Sequence, residues 1–343
     1  MKSINPTTGQ LIQAYDKHSP DYIDNVVHQA HYASHEWRRL SIEERSAKMK
    51  QIAKILRTDS SHFAELMANE MGKPLKQGEA EIEKCALVCE FYADQAIKYL
   101  ADQPVKTEAD ESFIHYDPLG VILAVMPWNF PFWQVFRCAA PILMAGNAMI
   151  LKHASNVCGA ALAIENIFKL GDFPNGILRS VFIDAEEVGK LIEHPLIAAV
   201  TVTGSVQAGK AVAAKAGAML KKTVLELGGS DAYLVLEDAS LQEASEICAT
   251  SRLINGGQSC VSAKRFIVVE AVLKEFEELL TDKMSQYRMG SPLQKTTTLG
   301  PLARFDLRDQ LHHQVQESVK LGARILTGGS IPEGVGAFIH LRC

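Results

Sequence analysis

The chain is poor in cysteine, nearly balanced in charge and without a long unbroken apolar run. Each shortage removes a class of function. Seven cysteines in 343 residues, none in paired metal-type spacing, argue against a zinc-stapled or disulfide-built scaffold. Cys85 and Cys89 lie four apart on a helical stretch, which suits small buried side chains better than a redox pair. A net charge of −5 is too weak to draw the chain to nucleic acid or to a membrane surface. The densest apolar stretch, residues 119–151, is broken by Pro127, Asn129, Pro131, Arg137 and Pro141, so no run reaches the ~20 residues a bilayer span needs. It reads instead as a buried strand, a turn and a helix. The first residues, MKSINPTTGQ, carry no secretory pattern, and a reduced, cytoplasmic setting is expected. Neither an internal repeat nor a low-complexity tract is present.

What remains is the composition of a globular enzyme, 47% hydrophobic and 22% charged, in a chain long enough for two domains. Residues 20–100 show helical periodicity with few breakers, and Ser41 stands as a cap ahead of Ile42. Residues 103–118 are polar and alternating and read as an extended segment on a surface or between domains. Beyond them the apolar runs VILAVM, AMILKH, SVFIDA, AAVTVTG, TVLELGG, DAYLVLED and KRFIVVE alternate with helical segments. That alternation predicts an α/β fold with a parallel sheet covered on both faces. Ligands in such sheets bind at the carboxyl ends of the strands.

Five stretches carry chemistry, and each has a plain structural alternative. In TVTGSVQAG a β-type run ends at Gly204-Ser205 and a small-residue helix begins, offering amides to a phosphate or serving only as a turn. It lacks the full G-x-G-x-x-G pattern. In MILKHAS, Lys152 closes an apolar run, either to meet ribose hydroxyls or to face water. In VLELGG, Glu226 stands between leucines, where partial burial would raise its pKa toward that of a general base, or else it faces water at a strand edge. In MPWNFPFWQVFR, two prolines fix the backbone around Trp128 and Asn129, holding an amide for an oxyanion or merely capping a turn. In LINGGQSCVSAKR, Cys260 follows Asn255, Gly256 and Gly257, as a nucleophile or as a small hydrophobe ending a loop.

Taken in order, P-W-N-F-P, L-K, T-G-S, E-L-G-G and G-Q-S-C resemble the aldehyde dehydrogenase superfamily from about Ile4 to about Gly329. MPWNFPFWQVFR, LKHAS and LGPLARFDLRDQLHHQV look most like its short-form succinate-semialdehyde dehydrogenases. The resemblance implies a Rossmann-type cofactor domain and a second α/β catalytic domain. It makes Cys260 the nucleophile, the Asn129 amide the oxyanion donor and Glu226 the base that activates water. It places Trp128, Lys152, Gly204 and Ser205 on the cofactor. Ser155 occupies the position where NAD-preferring members have a glutamate, so NADP is expected alongside NAD. Arg137, eight residues after Asn129, implies a distal carboxylate on the aldehyde substrate, or is a helix-surface arginine. A second arginine of some members is replaced by Ile254, and whether Arg252 substitutes is open.

By the same resemblance, residues 1–102 and 119–227 form the cofactor domain, 103–118 an oligomerisation strand and 228–343 the catalytic domain. The family continues past GAF with Tyr-Pro-Pro-Thr-Leu, whereas this chain ends FIHLRC. The bases TTT ATC CAC CTA CGC TGC encode that ending, and read from the third T they give Tyr-Pro-Pro-Thr-Leu. The expectation is a frameshift after Phe338 and a truncated catalytic domain. It would lack the C-terminal strand of the family homo-oligomer, leave Cys343 as an exposed thiol, and be weakly active or confined to nucleotide binding. Resequencing the coding region tests this, and an intact frame through FIHLRC refutes it.

Overall fold

The computed structural model describes residues 1–341; Arg342 and Cys343 lie outside the described residues. The chain opens with an antiparallel pair, β1 (Lys2–Ile4) and β2 (Leu11–Ala14). Four helices follow: α1 (Pro20–Trp37), α2 (Ile42–Thr58), α3 (Ser60–Met71) and α4 (Leu75–Tyr99). Ser41 begins α2 with a capping box, its hydroxyl accepting from the Glu44 amide while the Glu44 carboxylate accepts from the Ser41 amide. Cys85 and Cys89 are fully buried on α4, as expected of small side chains filling a helix face. The stretch 103–118 is not one strand. It holds a minimal antiparallel pair, β3 (Gln103–Pro104) and β4 (Phe113–Ile114), all four residues exposed, because polar alternation with no partner to cover supplies no burial to extend it.

A strand–helix alternation then runs β5 (Val121–Val125), α5 (Trp133–Met144), β6 (Ala148–Lys152), α6 (Cys158–Leu170), β7 (Leu178–Ser180), α7 (Ala185–Glu193), β8 (Ile197–Gly204), α8 (Val206–Ala218) and β9 (Lys222–Leu227). The five strands form one parallel sheet in the order β7-β6-β5-β8-β9. The run SVFIDA is shifted from expectation: pairing covers Leu178–Ser180 and ends where SVFIDA begins. The last third carries β10 (Ala232–Val235), α9 (Leu241–Leu253), a 3-10 turn (Ile254–Gly257), β11 (Arg265–Val268), α10 (Glu270–Ser285) and α11 (Phe305–Lys320).

Two compact units divide these elements. The first comprises Met1, Tyr15–Phe63 and Ala80–Leu227; the second comprises Lys2–Ala14, Ala64–Glu79 and the chain from Gly228 onward. The first unit's sheet is apolar and buried along β5, β6 and β8, as a sheet covered on both faces must be. Trp37, fully buried, ties α1 to α5 through a hydrogen bond from its indole N–H to the Leu143 carbonyl at 2.6 Å. β9 is the edge strand, and five of its six residues are exposed.

The second unit recruits segments that sequence order assigned to the cofactor half. Asn5 donates to Asn69 at 3.2 Å, Ser3 bonds Glu70, and the Leu75 amide donates to the Pro292 carbonyl at 3.1 Å. Gly300 lies so close to Gly72 that an added Cβ would stand 1.9 Å from the Gly72 carbonyl oxygen. Its core gathers Val235, Cys248, Leu253, Phe276 and Leu280 beneath the parallel pair β10–β11. Among the described residues no helix is long and apolar enough to cross a membrane.

Candidate active site

The parallel register of the first unit's sheet brings four motifs to one edge. Val125 pairs with Lys152 and with Val202, and Glu226 pairs with Thr203. The carboxyl ends of β5, β6, β8 and β9 therefore lie side by side, carrying the Trp128–Asn129 loop, Lys152–Ser155, Gly204–Ser205 and Glu226 respectively. This is the edge at which open parallel sheets hold ligands.

The Trp128–Asn129 loop is pinned at both ends by residues that the sequence motifs did not single out. His153, 4% exposed, spans the loop: its Nδ1 accepts from the Ala154 amide at 2.9 Å and lies 3.3 Å from the Met126 carbonyl ahead of the loop, while its Nε2 meets the Pro131 carbonyl at 2.9 Å. The two shorter contacts assign the proton to Nε2 of a neutral ring. Burial holds the imidazole pKa down, to about 4. At the loop's other end the buried Glu81 carboxylate accepts from the Phe132 amide at 3.0 Å and the Trp133 amide at 2.9 Å. The first residues of α5, which have no local side-chain cap, are thereby capped from α4. Between these anchors, the Asn129 side-chain oxygen accepts from the Phe130 amide at 3.2 Å, which fixes the orientation of the carboxamide. A histidine directly after an apolar strand was the one visible signal for His153; nothing local marked Glu81.

At the next strand, Lys152 is half-buried, and desolvation lowers its pKa. Its ammonium makes no ion pair among the described residues. Asp184, the carboxylate nearest in effect, is bonded to Lys17. Ser155, three residues on, is exposed. At β8 the Ser205 hydroxyl accepts from the Ala208 amide at 3.2 Å, so Ser205 acts as N-cap of α8 and its side chain is spent there. The first turn of α8, Val206 to Ala208, is exposed. An unpaired, partly desolvated cation, an exposed hydroxyl and an open helix start fit a phosphorylated, hydroxyl-bearing ligand.

The structure decides between the two readings of Glu226 and adds a contact to Arg137. Glu226 faces water at a strand edge and is not partly buried: its side chain is 55% exposed, because β9 is one edge of the sheet and lacks an outer neighbour. Arg137 is not a helix-surface arginine; its side chain is partly buried. From α5 it donates to the Thr203 hydroxyl at 2.8 Å and its guanidinium lies 3.7 Å from the Glu226 carboxylate. The structure thus joins the arginine to the candidate base.

In the second unit Cys260 follows three consecutive left-handed residues, Asn255 (φ 54°), Gly256 (φ 64°) and Gly257 (φ 78°). Asparagine and glycine are the residues that tolerate this region, which accounts for the N-G-G stretch. The loop is braced on several sides. The Asn255 amide donates to the Gln77 side chain at 3.0 Å, the Ala303 amide donates to Gln258 at 2.9 Å, and Arg252 donates to the Gly257 carbonyl at 3.4 Å. Arg252 therefore supports the loop. Lys264, another residue the motifs did not single out, donates to the Cys260 carbonyl at 3.0 Å and to the Gly229 carbonyl. Five of the six described cysteines are buried and Cys260 is partly exposed. A cleft of about 330 Å³ on α9 is lined by Ile247, Thr250, Ser251, Ile254 and Val261, the last directly after Cys260.

The model of the aldehyde dehydrogenase family matches residues 1–341. The chain belongs to the aldehyde dehydrogenase family. It is 45% identical over 336 residues to the succinate semialdehyde dehydrogenase [NAD(P)+] of Escherichia coli, spanning 98% of this chain and 73% of that one. It is 41% identical over 340 residues to the succinate-semialdehyde dehydrogenase [NADP(+)] of Mycobacterium avium, spanning 98% and 72%. Among solved structures it is similar to the succinic semialdehyde dehydrogenase of Streptococcus pyogenes in complex with NADP+, with a TM-score of 0.97, 35% identity, and coverage of 99% of this chain and 75% of that chain. The α/β aldehyde dehydrogenase fold implied by the ordered motifs is that of this family.

Proposed function

We propose that the protein oxidises succinate semialdehyde to the carboxylate with NADP+ or NAD+, through a thioester on Cys260. The observation that carries this reading is Cys260 itself. In a chain of this family, it is the partly exposed thiol among buried ones, presented by a loop whose backbone strain is retained and braced.

In this reading the Cys260 thiolate adds to the aldehyde carbon, and the Asn129 carboxamide and the Cys260 backbone N–H hold the oxyanion. Trp128, Lys152, Ser155, Gly204 and Ser205 would hold the dinucleotide, which when bound accepts hydride from the adduct. Lys152 would meet its ribose hydroxyls, and Ser155 would offer a neutral hydroxyl to a 2′-phosphate. The sulfur-bound acyl group is then hydrolysed by a water that Glu226 deprotonates. Arg137 takes the distal carboxylate of the substrate, giving up its contact with Glu226 and leaving that carboxylate to the water. The substrate and cofactors of the Escherichia coli and Mycobacterium avium relatives support both the substrate and the choice of cofactors. Six described cysteines, five of them buried, suit a reducing cytoplasm.

Reduction of NADP+ and NAD+ by the purified chain with succinate semialdehyde tests the proposal, with Cys260→Ala as control. Turnover that vanishes in the control supports it, and turnover that survives overturns it. The same assay separates a second reading, in which the chain, which spans 73% of the E. coli relative, holds nucleotide without turnover. That reading predicts quenching of tryptophan fluorescence by NADP+ and no reduction.

A further inference from the structure

The first unit has a second cavity, at the sheet edge opposite the motifs. It occupies about 270 Å³ beside the amino ends of β5, β6 and β8, and is lined by His31, Ser34, His35 and Arg38 of α1 and by Gly120 and Gly146. We propose that this cavity binds a small oxyanion, a phosphate or a dicarboxylate, away from the reaction centre.

The one arginine that lines it, Arg38, meets no acidic residue in the lining. The Arg38 guanidinium makes no ion pair or hydrogen bond among the described residues. Arg45, reaching in from α2, places Nη1 2.9 Å from where a Gly146 Cβ would stand, a point also 3.4 Å from Arg38 Cβ and 3.3 Å from Pro118 Cβ. Gly146, at φ +87°, is what leaves room for that guanidinium. Its Nε is buried and unpartnered among the described residues. Burial lowers the Arg45 pKa, with Glu43 opposing it.

His31 and His35 face each other, Nε2 to Nε2, at 3.2 Å. Burial lowers the His31 pKa, and His35, His28 and Arg38 lower it further. The acids nearby are engaged elsewhere: Asp117 lies 3.7 Å from His115, and Asp24 contacts His28 and His194. A partly desolvated cation such as Arg45 is costly to bury with only Glu43 acting on it, and an anion held between it and the exposed Arg38 would gain charge-assisted hydrogen bonds. The volume falls just below the ~300 Å³ at which drug-sized sites begin, which selects a small anion over a nucleotide.

Calorimetric titration of the full chain in a zwitterionic buffer near neutral pH tests this, with inorganic phosphate in one arm and succinate in the other. Saturable binding in either arm, weakened about tenfold or more by Arg38→Gln and by His35→Gln, supports the proposal, and the responding arm identifies the anion. Both variants alter side chains on the exposed rim of α1, and an unchanged melting temperature confirms that they fold. No heat in either arm overturns the proposal, as does an affinity that neither variant changes. Saturable zinc binding with both anions silent would also overturn it, assigning the His31–His35 pair to a metal.

Discussion

Lowering the pH should unseat the Trp128–Asn129 loop through one buried ring. His153 titrates at 6.5 when unfolded, and burial moves it to about 4 in the folded chain. Between those values the unfolded state binds the extra proton, so stability rises with pH across that window. The contribution is complete above pH 6.5, is lost progressively as the pH falls to about 4, and does not grow below that, where both states are protonated. A shift of 2.5 units, the difference between the two values, corresponds to about 3 kcal/mol at 1.36 kcal/mol per unit. Protonation would also remove the Nδ1 lone pair that receives the Ala154 amide. Trp37, Trp128 and Trp133 all lie in the first unit, so urea unfolding followed by tryptophan fluorescence reports on the unit that holds the ring. Wild type should lose about 2–3 kcal/mol more than His153→Gln between about pH 7.5 and about pH 4.5, because titrations common to both proteins cancel in the difference. Parallel losses in the two proteins would refute the buried-neutral assignment.

Glu81→Ala should cost about 2–4 kcal/mol by orphaning two amides at the start of α5, whereas Glu81→Gln, which keeps an oxygen acceptor, should cost about 1 kcal/mol. Equal urea midpoints for the two variants would contradict the capping role. In Gly209→Ala the new methyl would stand 2.4 Å from Leu227 Cδ2, an overpacking worth about 1–3 kcal/mol. Adding Leu227→Ala should recover part of that loss, and a melting temperature that stays down in the double variant would show that the clash lies elsewhere. Asn255→Gly should alkylate at Cys260 at close to the wild-type rate with iodoacetamide. Asn255→Ala, forced to φ 54° at a cost of about 1–2 kcal/mol, should change that rate; identical rates would mean that the left-handed backbone does not control the thiol.

The sequence made legible whatever depends on order along the chain. The helical run after Pro20, the strand–helix alternation after Gly120 and the placing of Lys152, Gly204 and Glu226 at strand ends all follow from period and punctuation. Periodicity is local and needs no knowledge of the partner surface. Readings that depended on neighbours across the fold fared worse. Glu226 sits between leucines, which suggests burial, but exposure is set by whether another strand lies outside β9, and no pattern within VLELGG carries that information. For Arg137 the sequence left a substrate-facing or a helix-surface arginine open, and its bond to Thr203, 66 positions away, leaves no trace in the local sequence.

The same division explains which supporting residues escaped notice. The motifs show the groups proposed to meet the substrate, whereas Glu81 lies 51 positions before the Phe132 amide it caps. Capping at that distance leaves no spacing signature, unlike the local box at Ser41 and Glu44. The prolines of PWNFP restrict φ but leave the loop's position open; position comes from Glu81 at one end and His153 at the other. A change at either residue should therefore move Asn129 without touching a motif, and the damage should scale with lost hydrogen bonds. If Glu81→Ala and His153→Gln each lower the rate of Cys260 acylation while leaving NADP+ affinity unchanged, the loop is held as described. Equal effects on both quantities would mean that the edge responds as a whole and that the two anchors have no separate task.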